Sequence, residues 1–203
     1  FKIVGQGMPP MVDAGFDFYA PQSFEDVAGR RLMIGWSGCP DAKAESPTVA
    51  RGWQCALTVP RELSMRGGKL CQQPAHEIER MRGNCVRAVG GETVEEPGRL
   101  FDLVVSCEGA KMVELEIRKG VFVLYADGML TLDMGDEGYG RDQRSIELSE
   151  LRDLRVLSDT TMVEIFANGG EAALTSRTYS PAVSAMGLHA EGAASMNFYR
   201  LVH

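Results

Sequence analysis

Turns recur too often in this chain for any helix to run far, and that spacing constrains the fold more than any other feature. From Phe101 onward, short extended runs alternate with turn residues: Phe101 to Ser106, Met112 to Arg118, Val121 to Ala126 and Met129 to Leu132 are strand-like. Leu154 to Leu157, Met162 to Ala167, Ala172 to Arg177 and Met196 to Leu201 continue the series. Asp127-Gly128 sits between two runs as a tight hairpin, because both central residues of that turn need positive φ. Asn168-Gly169-Gly170 supplies another turn. About eight strands with regular turns and no strong helix predict a β-sandwich over 98–203. Only Ser145 to Leu151 is left ambiguous by periodicity.

The first part of the chain reads the same way on a smaller scale. Extended runs fall at Phe16 to Phe24, Arg30 to Trp36, Trp53 to Val59 and Lys69 to Gln73, with a loop from Ser37 to Gly52. Four such runs in about 60 residues predict one antiparallel four-stranded sheet, the unit of a β-propeller blade. Pro74 to Arg82 has the charge content of a short helix or an exposed edge. Val89 to Gly98 is polar and glycine-rich, which makes it the expected boundary. The expected organisation is all-β: a blade at 1–88, a linker at 89–97 and a sandwich at 98–203.

Composition removes several classes of function. With 21 basic against 28 acidic residues the formal charge is −7, and no basic run interleaves with aromatics, so nucleic acid is not an expected partner. No apolar run approaches the ~20 residues that span a bilayer, so no membrane association is expected. The five cysteines lack metal-finger spacing and are odd in number, which fits free thiols in a reducing, cytoplasmic compartment. His76, His189 and His203 are scattered, so no metal or other cofactor is expected.

Two stretches go beyond pattern. The first is Asp13-Ala-Gly-Phe-Asp-Phe-Tyr-Ala-Pro-Gln22, followed by Gly29-Arg-Arg-Leu-Met-Ile-Gly-Trp36 and Leu57-Thr-Val-Pro-Arg-Glu-Leu63. The second is Leu157 to Glu171, closed by Leu174-Thr-Ser-Arg-Thr-Tyr179. In this order they resemble glycoside hydrolase family 32, the group of invertases, sucrose-6-phosphate hydrolases, levanases and inulinases. The resemblance implies a five-bladed propeller that carries catalysis, with a β-sandwich packed against it. This chain would hold the last blade and the sandwich.

The implied chemistry is retaining hydrolysis of β-fructofuranosides, which needs two carboxylates roughly 5 Å apart. The family's Asn-Asp-Pro-Asn-Gly, Arg-Asp-Pro and Glu-Cys-Pro motifs are absent from this sequence, so no catalytic residue is expected in it. Gly38-Cys39-Pro40-Asp41 mimics the last of these but has Gly38 in place of the acid. Arg141-Asp142 and Arg152-Asp153 lack the following proline. The expected partners are a sucrose-like fructoside and the remaining blades, with self-association through apolar blade faces as a further outcome. Phe16, Phe18, Ile34, Leu57 and Leu63 are the residues expected to supply those faces. The rival reading is a stand-alone carbohydrate-binding or structural β-module.

Three residues are candidates for touching substrate. Trp36 matches a tryptophan at the rim of the family's fructose pocket, where a broad apolar ring stacks on a sugar. Strand alternation puts Asp17 and Tyr19 on one face, opposite Phe16 and Phe18. That face could line a pocket, or Asp17 could be a buried structural carboxylate. Trp53 is expected to pack within the blade, and Arg61-Glu62 to form an ion pair that fixes its strand. Glu164 and Asn168 to Glu171 are assigned to architecture.

Overall fold

The computed structural model describes residues 11–38, 45–89 and 91–202. Among them are strands and three short 3-10 turns, with no α-helix. A small antiparallel sheet comprises β1 (Tyr19–Glu25), β2 (Arg31–Ser37), β3 (Ala56–Leu57), β4 (Arg61–Arg66) and β5 (Lys69–Pro74). Its order is β1-β2-β4-β5, with the two-residue β3 against the end of β2. Gly67 and Gly68 both take positive φ in the β4–β5 hairpin, as a tight turn between twisted strands requires.

The rest of the chain supplies β6 (Arg82–Val89), β7 (Thr93–Glu95), β8 (Phe101–Ser106), β9 (Met112–Arg118), β10 (Val121–Ala126) and β11 (Met129–Asp133). It continues through β12 (Gln143–Glu147), β13 (Asp153–Ser158), β14 (Met162–Ala167), β15 (Ala172–Arg177), β16 (Ala185–Glu191) and β17 (Ser195–Leu201). These form two six-stranded sheets, ordered β12-β11-β10-β9-β16-β7 and β15-β14-β13-β8-β17-β6. Alternate residues of both sheets enter one apolar core: Leu103 and Val105, Leu115 and Ile117, Leu130 and Leu132, Val156, Ile165, Leu174 and Phe198. Each such side chain contributes roughly 1.5–3 kcal/mol by leaving water. The Asp127-Gly128 hairpin has φ of 50° and 73°, as its sequence demands.

The structure departs from the sequence reading in definite places. The first run begins at Tyr19 rather than Phe16, and the third shrinks to Ala56–Leu57. Arg61–Arg66 is a strand in its own right. Pro74 to Arg82 resolves into a 3-10 turn at His76–Met81 that leads into β6, and Ser145 falls within β12. The expected linker is not a linker: β6 ends at Val89 and pairs with β17, while β7 pairs with β16.

One further departure positions everything that follows. Residues 13–17 lie along the free edge of β15: Ala14 N donates to Ala173 O at 2.8 Å and Asp17 N to Thr175 O at 2.9 Å. Gly15 has to be glycine there, because a Cβ would overlap the Thr175 backbone. The chain therefore leaves the large sheet at Phe18 and enters the small one at Tyr19. Of the five residues expected to expose apolar faces, only Leu57 is exposed. Phe16 packs against the large core, and the Phe18 ring fills the space over Gly35.

Candidate functional site

Cross-strand register builds a row on one face of the small sheet. Tyr19 pairs with Trp36 across β1 and β2, and Trp36 pairs with Leu57 across β2 and β3. Residues directly opposite one another in a sheet share a face, so the three apolar side chains lie side by side. Tyr19 meets the indole edge-on, with ring centroids 6.2 Å apart and planes at 76°. Tyr19 is 69% exposed and Leu57 64%, while Trp36 is half-buried between them. A register shift between Tyr19 and Gln22, with Ala20 at φ 45°, marks a bulge just beyond Tyr19. Bulges re-aim neighbouring side chains. The result is a partly shielded aromatic surface with a phenol at its border, suited to the apolar face of a sugar ring.

Asp17 does not share this surface. The sheet switch at Phe18 breaks the alternation that would have put it beside Tyr19. Its carboxylate is buried at 3% exposure, takes the Arg141 guanidinium on Oδ2, and accepts the Arg177 backbone N–H at 2.7 Å. Burial pushes its pKa up, and Arg141 and the Arg177 N–H oppose that shift. Asp17 thus takes the structural place that sequence left open.

A second buried cluster lies two residues away along β15. The Arg61 guanidinium reaches Asp13 at 2.9 Å, Glu164 at 2.8 Å, Gln72 at 2.8 Å and Thr175 at 2.5 Å. Phe18 and Phe166 flank it, with ring centroids 4.5 and 5.1 Å away. Arg61 does not pair with Glu62, because neighbours on a strand point to opposite faces; Glu62 instead meets Arg30 at 3.4 Å. Burial raises the pKa of Glu164 against the pull of Arg61. Trp53 lies outside the strands, 42% exposed, with the Arg177 guanidinium 5.8 Å above its ring.

Other grooves offer less. A cleft of about 280 Å³ between β5 and β13–β14 is lined by Arg82 and Arg155, but Asp102 engages both at 2.7 Å. Among the described residues no cluster of His, Cys, Asp and Glu could hold a metal, and no helix is long and apolar enough to cross a membrane. Cys39, Pro40 and Asp41 of the motif mimic lie outside the described residues. The register places two of the sequence's candidates, Tyr19 and Trp36, on one face and sets Leu57 beside them, a residue that the sequence pattern assigns only to an apolar blade face.

Comparison with known proteins defines the class. The model of the glycosyl hydrolases family 32 N-terminal domain matches residues 2–74, and that of the family 32 C terminal matches residues 129–201. The chain belongs to glycoside hydrolase family 32. Sucrose-6-phosphate hydrolase of Staphylococcus xylosus is 34% identical over 189 residues, covering 83% of this chain and 38% of that protein. The Bacillus subtilis enzyme of that name is 33% identical over 92% of this chain and 41% of its own length. The chain thus spans about two fifths of these relatives. Sucrose-6-phosphate hydrolase from Lactobacillus gasseri superposes with a TM-score of 0.83 at 23% identity, covering 97% of this chain and 43% of that one. A Bombyx mori GH32 β-fructofuranosidase in complex with sucrose gives 0.78 at 22% identity, covering 96% and 42%.

Proposed function

We propose that this chain is the C-terminal part of a retaining β-fructofuranosidase acting on sucrose, its 6-phosphate or a fructan, in which the small sheet is the last propeller blade and the two larger sheets are the sandwich. The observation that carries the reading is the order of the two family 32 matches, with relatives above 30% identity that are sucrose-6-phosphate hydrolases. In this reading Trp36 stacks on the fructosyl unit and Tyr19 borders it. The nucleophile and the acid/base come from outside this chain, and no metal or cofactor takes part. The remaining blades cover the exposed Phe24 and Met65 of the small sheet. A cytoplasmic setting is part of the same proposal. The test is turnover of sucrose, sucrose 6-phosphate and inulin by the rigorously purified chain. None is expected, and turnover abolished by Glu62→Gln would overturn the reading.

A further inference from the structure

Gly38 has no backbone reason to be glycine: its φ lies outside the left-handed region where glycine is favoured. The space its missing side chain leaves is nevertheless filled. A Cβ at this position would overlap Cη2 and Cζ2 of the Trp36 indole and lie 2.7 Å from Cζ3. The far ring of the indole therefore rests directly on the Gly38 backbone, and the Tyr19 ring meets the indole at a centroid separation of 6.2 Å. Gly38 itself is buried. No other residue type leaves room for the ring in this orientation.

We infer that Gly38 is the positioning residue for Trp36: the absent side chain sets the tilt at which the indole is presented to a sugar. As a role in substrate binding, this rests on the proposed reading of Trp36. The overlapping atoms are the outer end of a side chain, so an added methyl re-aims the ring instead of breaking the sheet. Gly38→Ala should therefore alter Trp36 while leaving global stability nearly intact.

Trp36 and Trp53 are the only two tryptophans, so Trp53→Phe isolates the Trp36 signal. In that background Gly38→Ala should abolish the near-ultraviolet dichroism of Trp36 and raise its quenching by acrylamide. The melting temperature should move by less than about 4 °C. A general packing role would lower the melting temperature without a specific change at Trp36, and would overturn the inference. So would an unchanged dichroism. With Trp36→Ala added, Gly38→Ala should have no effect on melting; a persisting loss means that Gly38 contacts something else and also overturns it. Titration with fructose separates the two ideas. Saturable quenching of Trp36, weakened by Gly38→Ala, supports both. No response in the parent combined with the spectroscopic change in the variant removes the substrate reading and leaves the positioning role standing.

Discussion

The core between the two large sheets and the junction between them and the small sheet hold the molecule together by opposite means. The core is apolar throughout, from Leu103 on β8 to Phe198 on β17. The junction buries Asp17, Arg61, Glu164 and Arg177 and the side chain of Asp13, residues that are rarely interred. Burial of methyl groups is non-directional and tolerates many arrangements. Burial of an ion is tolerated only when its partners are in place. The junction therefore fixes one relative placement of the small sheet, which the core alone could not do.

Charge within the junction is also unevenly divided. Arg61 faces two carboxylates, Asp13 and Glu164, an excess of one negative charge. Asp17 is bound by Arg141 and by the backbone of Arg177, whose own side chain is fully buried with Nε and Nη1 unpartnered, an excess of one positive charge. Thr175 and Arg177 sit on the same face of β15, one alternation apart, so the two clusters follow one another along a single strand.

The largest effect should come from cutting the centre of the junction. Arg61→Leu leaves Asp13 and Glu164 buried without a counter-charge, and should cost about 3–5 kcal/mol in urea unfolding. That equals a severe truncation in the core such as Leu115→Ala, at about 2–5 kcal/mol. A cost below about 1 kcal/mol, the value of an exposed pair, would break the comparison by showing that the junction contributes little.

Asp17→Asn comes next. It keeps the shape but removes the charge that Arg141 and Arg177 share, and should cost about 1.5–3 kcal/mol, the range for hydrogen bonds to charged groups. The response of Trp36 to fructose should be unchanged, since the carboxylate lies at the junction and not on the aromatic row. A selective loss of that response without loss of stability would return Asp17 to the substrate face.

How much of this was legible before the structure depends on the kind of contact. The hairpins at Asp127-Gly128 and Asn168-Gly169-Gly170 were legible because positive φ writes itself into residue type. That Tyr19 and Trp36 share a face was not legible: Tyr19 was a candidate from strand alternation and Trp36 from the family resemblance, and only the β1–β2 register pairs them. Nor was strand β6: Arg82, Asn84 and Arg87 make an edge strand look like a loop, since its outer side never needs to be apolar. The pairing of Arg61 was misread because adjacency in sequence was given more weight than alternation along a strand. The place of Asp17 was beyond any periodicity argument, because the pattern continues smoothly through a point where the chain changes sheets. Gly38 gave no signal either, as its meaning lies in a ring two residues away.

A smaller effect is visible in pH dependence. The pKa of Glu164 is raised by burial. The folded state thus holds this proton more tightly than the unfolded chain does. Its contribution favours folding below the unfolded value of about 4.5, and is lost as pH rises from there through the folded value. Asp17, raised for the same reason, acts in the same direction. Glu164→Gln keeps one acceptor oxygen, for either Arg61 or the Val59 N–H, and turns an NH2 donor towards the other; it should cost about 1 kcal/mol at neutral pH, the low end for a buried donor left unsatisfied. The parent should lose stability relative to this variant as pH rises above the ordinary carboxylate range. A relative gain instead would show that pairing with Arg61 outweighs burial.

The smallest expected effect lies at the outer edge of the junction, where the two modes of stabilisation meet. The Trp53 ring lies beneath the fully buried Arg177 guanidinium at 5.8 Å and is itself 42% exposed. Tyr179 offers a second ring to the same cation, at 5.5 Å, and its hydroxyl accepts from Nη2 at 3.3 Å. A cation over an exposed aromatic face is worth about 0.5–1 kcal/mol, and with Tyr179 still in place Trp53→Leu should cost no more than that. Trp53→Phe keeps a π face and should cost less still, which also makes it a safe background for following Trp36. A loss of several kcal/mol from Trp53→Leu would mean that Arg177 depends on this one ring for most of its compensation. The exposed rim would then be as exacting as the buried centre around Arg61, and the junction would be uniform where the comparison divides it.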